Sequence, residues 1–282
     1  MLGKLMKYDL GALSRILIPL HLAAVAVIVV GAGAGLTGHW VSELPAGALA
    51  DPAEGAVLGL AVLVLLMAVL ALGCLSLATL AVVLWRFYRN LFTDEGYLTL
   101  TLPATPAQQV WSKVLAGLIW MVVDAVVVFA GLLVVMAAAE GFGGATDLED
   151  TLPYWILSYA NGHGFGGVVP EGFLGVAGTL LQTLVQMAFG LLMAYAAFAL
   201  GAALAARHKV AAGIGLYVAL SWGYGLLSGA VGVLGLFAVT GTSSMRAYYA
   251  LTSVTGTVLQ LAACGVFWLI CVWVLRRKVN LP

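Results

Sequence analysis

Six stretches of this chain are long, apolar and almost free of charge, and they decide which solvent the fold must live in. They run roughly over residues 16–36, 56–85, 114–138, 173–205, 210–238 and 256–275. Crossing about 30 Å of hydrocarbon takes about 20 helical residues at ~1.5 Å rise each. Backbone amides in lipid find no water, so each stretch must be a helix that satisfies its own hydrogen bonds. Composition agrees. Hydrophobic residues make up 63% of the 282 positions and charged residues 9%, whereas soluble domains carry about 25% charged residues. The expected fold class is all-α, a polytopic membrane protein of six transmembrane helices forming a single domain over residues 1–282.

Basic residues set the expected orientation. With the N-terminus inside, Lys4, Lys7, Arg15, Arg86, Arg89, Lys113, Arg207, Lys209, Arg276, Arg277 and Lys278 all fall on the cytoplasmic side, and Arg246 alone falls outside. This matches the positive-inside rule. The acids mirror it: Glu43, Asp51, Glu54, Glu140, Asp147, Glu149, Asp150 and Glu171 lie in the two long outer loops. Six spans then return the C-terminus to the cytoplasm. The first apolar run is longer than the ~7–15 residues of a signal-peptide core, so it is expected to stay as a span. A net charge of zero gives no general attraction to nucleic acid.

Within this frame, residues 1–15 read as an amphipathic helix on the cytoplasmic surface. Leu2, Leu5, Met6, Leu10, Leu13 and Leu17 recur at three- and four-residue steps, with Lys4 and Lys7 off the stripe. The fifth run carries Gly223, Gly225, Gly229, Gly232 and Gly235. It is expected to end as a helix near Gly229, with a short re-entrant or interfacial piece after it. Pairs such as Gly31/Gly35 and Gly225/Gly229 have the small-residue spacing that permits close helix packing, a spacing that 35 glycines also produce by chance.

The longest cytoplasmic segment, residues 86–113, separates the second and third spans. Thr105 suits an N-cap, Pro106 the first helical position, and Gln108 can close a capping box. A short helix is therefore expected to begin at Thr105 and to stand on the cytoplasmic face, with Lys113 marking re-entry into the membrane.

The start Met1-Leu2-Gly3-Lys4-Leu5-Met6-Lys7-Tyr8-Asp9-Leu10 resembles bacterial permease subunits of type-2 ABC transporters. So does the segment from Asn90-Leu91-Phe92-Thr93-Asp94-Glu95-Gly96 through Leu102-Pro103 to Ser112-Lys113. The resemblance implies that Glu95, Leu102, Pro103 and Lys113 flank a coupling helix at residues 105–112, with Thr105, Gln108, Gln109 and Trp111 on it. That helix would dock on a separate ATP-binding subunit, and residues 1–15 would match the family's connecting helix. ATP and Mg would be bound by the partner and no cofactor by this chain. A second copy or a sister permease would complete a dimer in the bacterial plasma membrane.

Other chemistry is sparse. No G-x-x-x-x-G-K-[ST] loop and no G-x-S-x-G elbow occurs. The run Gly162-His163-Gly164-Phe165-Gly166-Gly167 lacks the strand–helix context of a dinucleotide site. Cys74, Cys264 and Cys271 sit in apolar runs without metal-ligand spacing, and no metal site is expected. Asp124 is the only acid deep inside a span, about 16 Å beyond Lys113 at helical rise. It should therefore face the bundle interior or a wet cavity, as part of a transport path or as a hydrogen-bonded structural group. The expected function is a non-enzymatic one: the permease subunit of an ATP-driven exporter. Two alternatives stand beside it, an ATP-independent secondary transporter using Asp124, and a membrane scaffold or immunity protein.

Overall fold

Each of the six apolar runs is a helix, and every helix but the fourth overshoots the run that announces it. The computed structural model describes residues 1–45, 51–93, 96, 103–141, 173–205, 207–239 and 245–277. Its six long helices are α1 (Leu2–Ser42), α2 (Asp51–Phe92), α3 (Pro106–Ala139), α4 (Phe173–Leu204), α5 (Lys209–Val239) and α6 (Met245–Arg277), and no strand occurs among the described residues. All six are long and apolar enough to cross a membrane. Large apolar side chains such as Leu22, Val29, Leu63, Leu77, Trp222 and Leu226 stand exposed on their flanks, as lipid-facing surfaces require. The chain is an all-α, multi-pass membrane protein.

Two expectations about helix extent change. Residues 1–15 are helical, but they are the opening turns of α1 and run without a break into the first span. Pro19 lies inside that helix. It removes one backbone donor, whereas unwinding in an apolar setting would strand several more. The expected end near Gly229 does not occur, because α5 continues to Val239. Each glycine lowers helix propensity by about 1 kcal/mol, but bare amides in hydrocarbon cost more than that. Gly223, Gly225 and Gly229 face open space, so no close contact dictates them.

The chain divides into two compact units. One comprises Met1–Leu13, Val83–Ile119 and Ser158–Pro282; the other comprises Ser14–Val82 and Trp120–Leu157. In the second unit Ala24, Leu72 and Leu75 form a buried cluster, joined by Leu20, Ile28, Val127, Val128 and Leu132. The Gly31/Gly35 pair packs here. A Cβ on Gly31 would lie 2.8 Å from the Ala68 Cβ, and one on Gly35 would lie 2.8 Å from the Ala139 backbone nitrogen. The backbones of α1 and α3 touch at Gly35 because no side chain intervenes. Just past α3, Gly141 has φ +82°, the left-handed conformation that commonly closes a helix.

In the first unit, α4 is enclosed over Phe189–Ala199, where Leu191, Tyr195, Ala196 and Ala197 are almost inaccessible. Phe87 stacks on Tyr195 with ring centroids 3.8 Å apart and planes 8° from parallel. Gly201 meets the Gly213 backbone, where a Cβ would come within 2.5 Å, and so α4 and α5 cross closely.

Gly35→Ala should therefore destabilise the protein by about 1–3 kcal/mol through overpacking. Gly33→Ala, with nothing within 4 Å, should be neutral or stabilising by up to ~1 kcal/mol from helix propensity. Thermal unfolding of the two variants in detergent measures the contrast, and equal midpoints would contradict the packing account.

Candidate functional site

The segment entering α3 carries a reciprocal cap. The Gln108 amide donates to Thr105 Oγ1 at 3.3 Å, and the Thr105 amide donates to Gln108 Oε1 at 3.2 Å. These bonds satisfy two donors that a helix start otherwise strands. Pro106 is the first helical residue, as its fixed φ and missing N–H favour. The helix does not stop after residue 112, however: residues 106–112 are the first turns of α3 itself. Upstream, Arg89 is in the last turn of α2, and the Thr93 hydroxyl donates to the Arg89 carbonyl at 2.6 Å. Glu95 and Leu102 lie outside the described residues.

The expected site residues divide by burial. Pro103, Thr105 and Trp111 are exposed, and Gln108 is half-buried. Gln109, Ser112 and Lys113 are buried. Lys113 is therefore not an open docking cation. Its Nζ donates to Asp9 Oδ1 at 3.0 Å, while Ser112 Oγ donates to Asp9 Oδ2 at 2.8 Å. The Tyr195 hydroxyl donates to the Lys113 carbonyl at 3.3 Å, which fixes the same turn from α4. One turn further along α3, Gly117 makes room for that phenol: a Cβ there would come within 3.1 Å of the Tyr195 hydroxyl. All of these residues belong to the first unit.

The residue missed by sequence reasoning is Asp9. The signal was present, since Asp9 falls at three- or four-residue steps from Leu5, Met6 and Leu13 and so lies along the apolar stripe of α1. An acid on a face that becomes buried needs a cation, because an unpaired buried charge is far more costly than a paired one. The sequence could not show that Lys113, about a hundred residues away, supplies it.

The second unit holds the intramembrane acid. Asp124 is buried. Ser76 Oγ donates to its Oδ2 at 2.7 Å and Thr79 Oγ1 to its Oδ1 at 2.8 Å. His21 Nε2 lies 3.5 Å from Oδ1. His21 Nδ1 is 2.8 Å from the Leu17 carbonyl, which can only accept, so Nδ1 carries the imidazole proton. His21 Nε2 makes no hydrogen bond among the described residues. The Trp120 ring packs beside His21 with centroids 5.7 Å apart, and its buried Nε1 has no hydrogen-bond partner. The arrangement ties α1, α2 and α3 together. His39 and Glu43 approach to 3.7 Å at the end of α1, and His163 lies outside the described residues. Among the described residues no three His, Cys, Asp or Glu side chains converge as a metal site.

Breaking the buried pair should leave an uncompensated charge. Lys113→Met and Asp9→Leu should each cost about 3–5 kcal/mol, and the double variant should cost less than the sum. Purified yield and thermal midpoint in detergent report both effects. At the other cluster, Asp124→Asn keeps one acceptor oxygen and gives the second hydroxyl an amide donor to accept from, so it should cost about 1–2 kcal/mol less than Asp124→Leu, which strands both hydroxyls. No family model matches this chain, and no match is found among curated proteins or solved structures.

Proposed function

We propose that this chain is the membrane-spanning permease subunit of an ATP-driven exporter, worked by a separate ATP-binding subunit. The observation that carries the reading is the capped, partly exposed start of α3 at Thr105–Gln108, continuous with a membrane-spanning helix. A helix without a break transmits axial load and tilt, so a partner pressing on Pro103, Thr105, Gln108 and Trp111 would move the span itself. The Asp9–Lys113 bridge ties the first turns of α1 to the same lever. The resemblance of residues 90–113 to type-2 ABC permeases supports the same assignment, with Glu95 and Leu102 as further docking residues.

In this reading both termini are cytoplasmic, as the sidedness of the basic residues favours, and the membrane is the bacterial plasma membrane. A second copy or a sister permease completes the transporter, and ATP and Mg bind on the partner. The buried Asp124 carboxyl beside His21 favours one second reading, a secondary transporter in which Asp124 titrates during transport. Proton-coupled uptake by the purified chain alone, abolished by Asp124→Asn, would establish that alternative.

The test is co-purification with an ABC-type ATP-binding subunit from the same genome, followed by ATPase assay of the complex. Gln108→Ala removes half of a capping box, worth about 1 kcal/mol, and should lower stimulated turnover up to ~5-fold. Pro103→Ala should act in the same direction. Unchanged binding and unchanged stimulation in both variants would refute the coupling role.

A further inference from the structure

A hydrogen-bonded amide ladder runs through the apolar spans of α4, α5 and α6. Thr257 Oγ1 donates to Gln182 Oε1 at 2.8 Å, Gln182 Nε2 donates to Gln260 Oε1 at 3.0 Å, and Gln260 Nε2 donates to Gln186 Oε1. The Tyr224 phenol of α5 lies close to Gln260. All five residues lie within spans long and apolar enough to cross a membrane, and all belong to the first unit.

A staple between helices would turn its polar atoms inward, yet Gln182 and Gln186 are exposed. A primary amide has two donors and two acceptor lone pairs. The ladder uses one or two of these on each α4 glutamine, and the Gln186 amide nitrogen has no partner among the described residues. Open amides against hydrocarbon are unfavourable, which is why such groups in spans face cavities or ligands.

Beside the ladder lies an aromatic floor. Phe189, one turn along α4 from Gln186, packs on Tyr224 at 4.4 Å and on Phe267 at 5.9 Å between ring centroids. Phe189 and Phe267 are buried. These ring contacts join α4, α5 and α6 one turn along from the ladder. Charge is missing: α4 contains no Asp, Glu, Lys or Arg, α5 has none after Lys209, and α6 has none between Leu251 and Leu275. Along these stretches an ionised head group would find no counter-ion.

We propose that Gln182, Gln186, Gln260, Thr257 and Tyr224 bind an uncharged amphiphile. Its head carries hydroxyl or amide groups that complete the ladder, and its alkyl part lies along exposed apolar side chains of α4 and α6 such as Leu181 and Val258. As the cargo class of a transporter this rests on the permease reading above; as a binding site it is testable without any partner.

The experiment uses the full chain in nanodiscs and three photoreactive probes with the same diazirine-bearing alkyl chain: a monoacylglycerol, a primary acyl amide and a fatty acid. The two neutral probes should label peptides of α4 and α6 at least ~5-fold more than the fatty acid, a difference of about 1 kcal/mol in binding. Gln182→Leu/Gln186→Leu/Gln260→Leu should reduce that labelling to the fatty-acid level. Gln186→Leu alone leaves the Thr257–Gln182–Gln260 bonds in place and should still lower it. Equal labelling by all three probes, labelling no greater than in heat-denatured protein, or labelling unchanged in both variants would overturn the proposal. A lower thermal midpoint with unchanged labelling would assign the ladder to helix stapling and overturn it equally. Labelling is read without ATP or a partner, so its failure is distinct from failure of the coupling assay.

Discussion

Backbone amides that enter hydrocarbon have only one another to bond. That constraint explains why α1 passes through Pro19 and α5 passes through Gly223, Gly225, Gly229, Gly232 and Gly235 without breaking. In water either sequence would be a plausible helix end, because a freed amide or carbonyl would be solvated at once. In lipid the comparison is between an imperfect helix and several stranded polar groups, and the imperfect helix is favoured. The same constraint makes helix starts consequential. The reciprocal Thr105–Gln108 cap satisfies donors at the one place where α3 emerges from its own ladder.

Side-chain polarity obeys the same rule at higher stakes. Three polar groupings lie among the helices, and each is built as a set. Asp9 has Lys113 and Ser112. Asp124 has Ser76, Thr79 and a nearby histidine. Gln182, Gln186 and Gln260 have one another. The first two are closed and buried, which suits groups that hold helices or pass load between them. The third is open on one side, which suits a group that meets something not built into the chain. Small residues complement these sets by letting backbones approach, at Gly35 against Ala139 and at Gly201 against Gly213.

Much of the fold was legible before any coordinates, for a simple reason: apolar run length is a local property. Each of the six runs reports its own helix, since hydrogen bonding in a helix closes within four residues. The Thr105–Pro106–Gln108 cap was legible on the same ground. Helix ends were less so. The extension of α1 over residues 1–15 and of α5 beyond Gly229 depended on surroundings that no short window records. Gly31 and Gly35 carried a readable spacing, but 35 glycines in one chain supply many such spacings, and only packing selected this pair.

Sequence by itself thus determined the solvent, the helix count and the start of α3, because hydrophobic length and capping act over a few residues. Only the tertiary structure decided which polar side chains meet. The partners Asp9 and Lys113, Ser76 and Asp124, and Gln182 and Gln260 are separated by tens to about a hundred positions. Their pairing is a consequence of how the helices pack, and no periodicity along the chain encodes it.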